Sequence, residues 1–238
     1  MMYSFDTRVG FSHTDNKRNM TISSMIDAFQ DCSCFQAEQL GIGFDYLEPN
    51  NLVWILNAWQ LEIKQYPVFY DKIKIATYPY DFKGFFGYRN FFIENEKGDK
   101  IVTANSVWTL MDWEKKCPAH MPQHIKDTYI LEERLLMDYQ SRKIKLPNEE
   151  EAVIIKNEPL EIKKYHLDSN QHVNNGQYIR IALENIEPDF RCAKLRAEYR
   201  KQAVLGDIII PIIYRNNNQY TIALCDEEES PYAVIDVR

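Results

Sequence analysis

Two stretches from the first half of the chain return in the second half in the same order, and nothing else in the sequence restricts the fold as much. The first pair sets Thr14-Asp15-Asn-Lys17-Arg-Asn19-Met-Thr21 against Leu167-Asp168-Ser-Asn170-Gln-His172-Val-Asn174. The second sets Leu61-Glu62-Ile63-Lys64-Gln65-Tyr66 through Asp71 against Ala197-Glu198-Tyr199-Arg200-Lys201-Gln202 through Asp207. Members of the first pair follow an alternating, strand-like run and precede a helix-like pattern. Members of the second read as strand, short turn and second strand. Similarity that keeps its order across two halves implies two copies of one supersecondary plan.

In the first copy, Tyr3 to Phe11 alternates like a strand, and Thr21 can cap a helix running to about Leu40. Ile22, Met25, Ile26 and Phe29 recur at three and four along it, giving one apolar face. Strand-like runs follow at 52–65, 72–80, 85–95 and 101–112, and Asn95-Glu-Lys-Gly98-Asp99 suits a hairpin turn. The second copy is the same plan shortened: a strand near 158–166, a helix over 175–186 stopped by Pro188, and strands near 193–202, 206–214, 218–225 and 231–237. One helix and then neighbouring strands predicts an α+β architecture, each helix packed on an antiparallel sheet. Pro118, Pro122 and Pro147, with the charged run Asn148-Glu149-Glu150-Glu151, mark a connection that should hold a short helix near 122–126 or 131–136. The expected division is a first domain over 1–125, a linker over 126–154 and a second domain over 155–238.

The chemistry gathers in the second copy. Asp168-Ser-Asn170-Gln-His172 packs a carboxylate, an amide and an imidazole into five residues just ahead of a helix. Asn174, Asn175 and Gly176 suit the start of that helix, whose free backbone N–H groups would face the cluster and stabilise an oxyanion. Asp-x-Asn before a helix is also ordinary turn and cap chemistry, so the segment taken alone fits either a structural helix entry or an acid/base site.

Composition narrows the function classes. A formal net charge of −7 argues against non-specific nucleic-acid binding, which needs a concentrated basic face. Locally, Arg191, Lys194, Arg196, Arg200 and Lys201, preceded by Lys163 and Lys164, fit either a solvated strand face or a docking surface for an acidic protein. The N-terminus has no basic stretch leading into an apolar one, and no apolar run reaches the roughly 18 residues of a membrane helix. A cytoplasmic protein without membrane insertion is expected. Cys32, Cys34, Cys117, Cys192 and Cys225 form neither a secreted framework nor a paired C-x-x-C pattern, and read as reduced thiols. His120 and His124 are four apart, but Pro118 and Pro122 interrupt the helix that would pair them, so no metal is expected. With no G-x-S-x-G elbow and no Walker-type glycine loop, neither a serine hydrolase nor a nucleotide cofactor has support. Trp54, Trp59, Phe82, Phe85, Phe86, Trp108 and Trp113 suit core packing and would equally suit an apolar tunnel.

Several motifs together carry a resemblance: Arg8-Val-Gly-Phe-Ser-His-Thr-Asp15 with Arg18-Asn-Met-Thr21, Trp54-Ile-Leu-Asn-Ala-Trp59, Tyr66-Pro67, Arg89-Asn-Phe-Phe-Ile, Ala104-Asn-Ser-Val-Trp108 with Asp112, and Asp168-x-Asn170-x-His172-Val-Asn-Asn. In order and spacing the chain resembles the acyl-acyl carrier protein thioesterases, in the bacterial branch related to the plant plastid enzymes, over nearly its whole length. The resemblance implies a tandem hotdog, each unit a long helix wrapped by an antiparallel sheet. It also implies hydrolysis of the thioester that joins a fatty acyl chain to its carrier protein.

Carried over position by position, the family's catalytic pattern falls on Asp168, Asn170 and His172, while the first copy has Asp15, Lys17 and Asn19 at the matching places. One active site per chain follows, with the first unit left to build the acyl pocket. Plant members have a Glu and then a Cys after the Glu-Tyr-Arg strand motif; this chain has Gln202 and Ala203. Without the thiol, direct attack by water is the economical mechanism. Asp168 and His172 would orient and deprotonate that water, Asn170 would position it or fix the imidazole tautomer, and Gln202 would hold it from the opposite strand. The acidic carrier protein would dock on Lys163, Lys164, Lys194, Arg196, Arg200 and Lys201. The alternatives are an acyl-coenzyme A thioesterase, a hotdog dehydratase using Asp27 or Asp31 of the first helix, and a non-catalytic acyl-chain binder. Two hotdog units already mimic the usual dimer, so a monomer and a homodimer are both compatible with the sequence.

Overall fold

Thr21 starts the long helix that the apolar spacing predicts. Its backbone is extended and its hydroxyl accepts the Ser24 N–H at 3.2 Å, which satisfies one of the amides that a helix start leaves without a partner. The computed structural model describes residues 1–238, in two units: Met1–Asn57 with Leu61–Tyr139, and Ala58–Gln60 with Gln140–Arg238. In the first, β1 (Tyr3–Arg8) leads through a 3-10 turn at Phe11–His13 to α1 (Ile22–Gln39) and the short α2 (Phe44–Leu47). Then come β2 (Leu52–Ile63), β3 (Lys72–Lys83), β4 (Phe86–Glu94), β5 (Lys100–Asp112), the two-residue β6 (Cys117–Pro118) and α3 (Gln123–Thr128). The strands are ordered β1-β3-β4-β5-β2, and β1–β3, β3–β4 and β4–β5 are antiparallel. Met25, Ile26, Phe29 and Cys32 line the buried face of α1, with the Phe29 ring 5.2 Å from that of Phe91 on β4.

The second unit holds β7 (Val153–Lys156), β8 (Leu160–Glu161), a 3-10 turn at Lys164–His166, α4 (Asn175–Glu184), β9 (Lys194–Tyr199), β10 (Ile208–Asn216), β11 (Gln219–Cys225) and β12 (Pro231–Val237). Its antiparallel order is β9-β12-β11-β10-β7, with β8 also on β10. Helix α4 lies on β11 and β12 through a face that includes Tyr178, Ile179, Ile181 and Ala182. Each fully buried isoleucine of this kind contributes about 1.5–3 kcal/mol.

The α+β expectation of one helix per antiparallel sheet therefore describes both units, and three details differ. The strand expected near 158–166 is only Leu160–Glu161: the chain leaves the sheet after Ile162 donates to the Asp207 carbonyl at 2.8 Å and then enters the 3-10 turn. Of the two short helices considered for the connection, the first is α3 and the second does not form. There, Glu132 N–H donates to Pro79 O at 3.1 Å and Leu135 N–H to Asn90 Oδ1 at 3.1 Å. These bonds replace the i→i−4 ladder, so 131–136 runs as an extended strap. Within the stretch 126–154, read from the sequence as the linker, residues to Tyr139 belong to the first unit and those from Gln140 to the second. Ile144 is buried with Ile212, Ala223 and Val234.

Candidate active site

Leu167 and Val173 face each other as an isolated antiparallel bridge and close a loop around Asp168–His172. Asp168 shapes that loop. Its Oδ1 accepts the Asn170 N–H at 2.8 Å and the His172 N–H at 3.3 Å; its own N–H donates to His172 O at 2.8 Å, and Gln171 N–H to Asp168 O at 3.1 Å. Gln171 turns the chain at φ 62°. On the entry side, the His166 carbonyl accepts the Asn174 N–H at 2.9 Å and its Nδ1 accepts the Lys163 N–H at 3.0 Å. Burial, helped by the Arg180 guanidinium and opposed by Glu184, holds the His166 imidazole below the ordinary 6.5, so its Nδ1 remains an acceptor at neutral pH.

The first unit repeats the backbone bonds of this loop. Asp15 Oδ1 accepts the Lys17 and Asn19 N–H groups at 2.9 and 2.8 Å, and Asp15 N–H donates to Asn19 O at 2.9 Å. Arg18 takes φ 65° where Gln171 does, Thr14 bridges Met20, and the His13 carbonyl accepts the Thr21 N–H at 2.9 Å. The second repeated segment is equally matched: Met20 N–H donates to Pro67 O and Val68 N–H to Asp71 Oδ2, as Val173 N–H donates to Ala203 O and Val204 N–H to Asp207 Oδ2. The two loops differ in cargo. The one in the first unit presents Lys17 and Asn19; the one in the second presents Asn170 and His172.

Gln202 is brought to the loop by its neighbour. Ala203 is fully buried; its N–H donates to the Tyr178 hydroxyl at 2.8 Å and its carbonyl accepts the Val173 N–H at 2.9 Å. Tyr199 Oη donates to Asn175 O at 3.0 Å, holding the first turn of α4 to β9. His172 and Asp168 are half-buried, while Asn170 and Gln202 are exposed, so the segment offers a polar rim open to solvent. Sequence reading singled out neither His166 nor Tyr178, although His13 and His166 stand one residue ahead of the first repeated stretch and would have joined it had it been extended.

The helix start has less to give an oxyanion than expected. Asn174 caps α4 by accepting the Gly176 N–H at 2.7 Å, and its carbonyl accepts the Gln177 N–H. The amides of His172, Val173 and Asn174 are also engaged within the unit. The docking set is rearranged as well. Arg196 Nη2 donates to Ser141 O at 2.6 Å and Lys143 O at 3.1 Å, and Arg200 Nη2 to Ile144 O at 2.8 Å and Glu198 Oε2 at 2.9 Å. Both guanidiniums thus clasp the strap at 141–144. Lys163 pairs with Glu161 at 2.5 Å and Lys201 with Asp226, and Lys163, Lys164 and Lys194 are exposed. In the first unit Asp27 Oδ1 is buried without a hydrogen-bond partner; burial, and secondarily Asp31, raise its carboxyl to about 6 against the pull of His13.

Comparison with known proteins agrees with this architecture. Residues 2–129 match the family model of the acyl-ACP thioesterase N-terminal domain, and residues 148–230 that of the acyl-ACP thioesterase C-terminal domain. Among curated relatives, oleoyl-acyl carrier protein thioesterase 2, chloroplastic, of Arabidopsis thaliana is 24% identical over 210 residues, 81% of this chain and 57% of that protein. Palmitoyl-acyl carrier protein thioesterase, chloroplastic, of Gossypium hirsutum is 28% identical over 182 residues, 71% and 43% respectively. The chain spans about half the length of the curated relatives it matches. Two solved structures share the tandem hotdog fold end to end. An acyl-ACP thioesterase from Bacteroides thetaiotaomicron has a TM-score of 0.88 at 22% identity, covering 99% of this chain and 96% of that one. The 12:0-ACP thioesterase from Umbellularia californica has a TM-score of 0.86 at 16% identity, covering 100% and 96%. Two hotdog units in tandem, matched in order by both halves of one family's model, place this chain in the acyl-ACP thioesterase family.

Proposed function

We propose that the protein hydrolyses the thioester of a fatty acyl-acyl carrier protein, releasing free fatty acid and the carrier thiol, from a single site on the Asp168–His172 loop. One observation carries this reading: two loops with the same backbone bonds, of which the second alone presents an imidazole and a neighbouring amide. The matching bonds of Asp15, in a loop that presents no imidazole, support a structural duty for Asp168. His172 is therefore the group that removes the proton from the attacking water. Asp168 holds the His172 backbone, and so the ring, in register. The Asn170 side chain is placed to donate to the carbonyl oxygen as it becomes negative, since the Asn174, Gly176 and Gln177 amides at the helix start are engaged within the protein. Gln202, a neutral amide, can orient water but not deprotonate it. The acidic carrier protein approaches over the exposed lysines of the basic surface, Lys163, Lys164 and Lys194, and the protein works in the cytoplasm.

Thiol release should be followed from acyl-carrier-protein and acyl-coenzyme A thioesters of several chain lengths, with parent protein and His172→Ala side by side. The reading predicts turnover of carrier-protein thioesters that the variant loses. Preference for coenzyme A thioesters would replace the carrier, and a folded parent that binds acyl chains without turnover would replace the activity with acyl binding.

A further inference from the structure

The turn that follows β2 returns in the second unit with the same backbone bonds, yet it displays different side chains. Tyr70 N–H donates to Val9 O at 2.9 Å and Asp71 N–H to Val68 O at 3.0 Å, as Gly206 N–H donates to Ile162 O at 3.0 Å and Asp207 N–H to Val204 O at 3.1 Å. Tyr70 therefore stands where the second unit has Gly206, and it keeps the left-handed backbone, at φ 76° against 87°. A tyrosine resists that conformation and a glycine does not, so the turn by itself does not account for the ring. The same register sets Phe69 against Leu205, Arg8 against Glu161, Arg18 against Gln171, and Phe11, at the head of its 3-10 turn, against Lys164.

These side chains of the first unit lie together on its surface. Phe11, Phe69 and Tyr70 are 80%, 40% and 63% exposed, and the Phe69 ring centroid is 6.1 Å from that of Phe11 and 6.2 Å from that of Tyr70. Arg8 places its guanidinium carbon 4.2 Å from the Tyr70 ring centroid and donates from Nη1 to Tyr70 O at 3.1 Å. Phe69 N–H donates to Arg18 O at 2.8 Å, which sets the exposed Arg18 beside the rings. The carboxylates of the same loops are turned to the backbone: Asp15 Oδ1 accepts the Lys17 and Asn19 N–H groups, and Asp71 Oδ2 the Val68 N–H at 3.0 Å. Adjoining exposed rings flanked by guanidiniums, on a chain of formal net charge −7, fit a surface that is apolar beneath an anionic layer, with rings at headgroup depth and guanidiniums on phosphates. A second copy of the chain fits less well, because a two-fold contact through this face sets guanidiniums against guanidiniums. A wholly acidic protein face answers the cations and leaves the rings uncovered.

We propose that Phe11, Phe69 and Tyr70, with Arg8 and Arg18, form a surface of the first unit that adsorbs to an anionic lipid bilayer at headgroup depth, with no segment crossing it. The surface does not depend on the hydrolytic reading; where that reading holds, adsorption releases fatty acid next to the bilayer that takes it up.

Parent protein, Phe11→Ser with Phe69→Ser, Arg8→Gln with Arg18→Gln, and Tyr70→Gly should be co-sedimented with vesicles of phosphatidylcholine and of phosphatidylcholine mixed with phosphatidylglycerol. The parent is expected to bind the anionic vesicles and to bind the neutral ones more weakly. The arginine pair should lower affinity for the anionic vesicles about 30-fold, at about fivefold per cation near an anionic surface, and remove the preference between the two. The phenylalanine pair should lower affinity for both vesicles about 10-fold or more. Tyr70→Gly suits the backbone at this position, so binding should weaken while the melting temperature holds, which separates loss of the surface from loss of the fold. A parent that binds neither vesicle would overturn the proposal, as would a phenylalanine pair that binds as the parent does, which means charge adsorption alone. If vesicle binding is absent and the phenylalanine pair instead dissociates a dimer in sedimentation velocity, the face belongs to a second copy; if the arginine pair instead raises KM for acyl-carrier protein, it belongs to an acidic protein, and either result overturns the proposal. Thiol release does not enter the vesicle readout, so failure of the hydrolytic reading leaves that readout unchanged.

Discussion

At the scale of single residues, the pair Asp15 and Asp168 separates architecture from chemistry. Both carboxylates accept two backbone N–H groups within their loop, so Asp15→Ala and Asp168→Ala should each cost about 1–2 kcal/mol, the range for losing a capping oxygen. Calorimetric melting should show similar losses in the two variants, while thiol release should collapse only in Asp168→Ala; equal loss of turnover in Asp15→Ala would return the first loop to the chemistry. Asp27 provides a pH test. Its carboxyl is raised to about 6 in the folded protein from 3.8, so between those values the folded state binds more protons and stability falls as pH rises. Asp27→Asn should therefore stabilise most above pH 6, by about 1–2 kcal/mol once solvent screening of this half-buried group is allowed for. The gain should shrink toward pH 4; urea titrations at both ends would reveal a gain independent of pH, which would exclude burial of the charge as its cause. His166 has the opposite sign. Its pKa lies below 6.5, so its contribution is complete above 6.5 and is lost as pH falls toward the folded value.

At the scale of elements, α4 is placed by side chains that do no chemistry. The Tyr178 hydroxyl accepts the Ala203 N–H, Tyr199 Oη donates to Asn175 O and the Ala203 carbonyl accepts the Val173 N–H, so the Gln202 segment and the helix start are tied to the Asp168–His172 loop. Tyr178→Phe leaves the Ala203 amide without an acceptor in a buried setting, at a cost of about 1–3 kcal/mol. Turnover should fall while acyl-chain affinity holds, which a kcat against KM comparison would read; an unchanged kcat would mean that the segment is held in place without this bond. The helix itself was legible. Thr21 and Asn174 sit where capping chemistry predicts, because a helix start is decided by a few local residues. The strand expected near 158–166 was not, since its end depends on Asp207, far along the chain, accepting the Ile162 N–H.

At the scale of the whole molecule, the strap at 141–144 changes the meaning of a basic cluster. Arg196 and Arg200 are occupied by its carbonyls, so Arg200→Ala should lower the melting temperature and leave KM for acyl-carrier protein nearly unchanged. Lys164→Glu with Lys194→Glu should raise that KM several-fold at low salt and spare stability, since exposed charges act on encounter more than on folding; steady-state kinetics against salt distinguishes the two classes, and a KM effect of Arg200→Ala equal to that of the lysines would restore the broader surface. The sequence by itself determined the repeat, the α+β order of elements, the helix starts and the position of the Asp-x-Asn-x-His segment, because each depends on residues close together in the chain. Only the tertiary structure decided that Asp168 organises a loop, that the Asn174, Gly176 and Gln177 amides at the start of α4 are engaged, that Arg196 and Arg200 clasp a strap and that Arg89 is buried without a counter-charge. Those outcomes depend on which distant donors and acceptors folding brings within 3 Å or so of one another, and a list of residues does not record that.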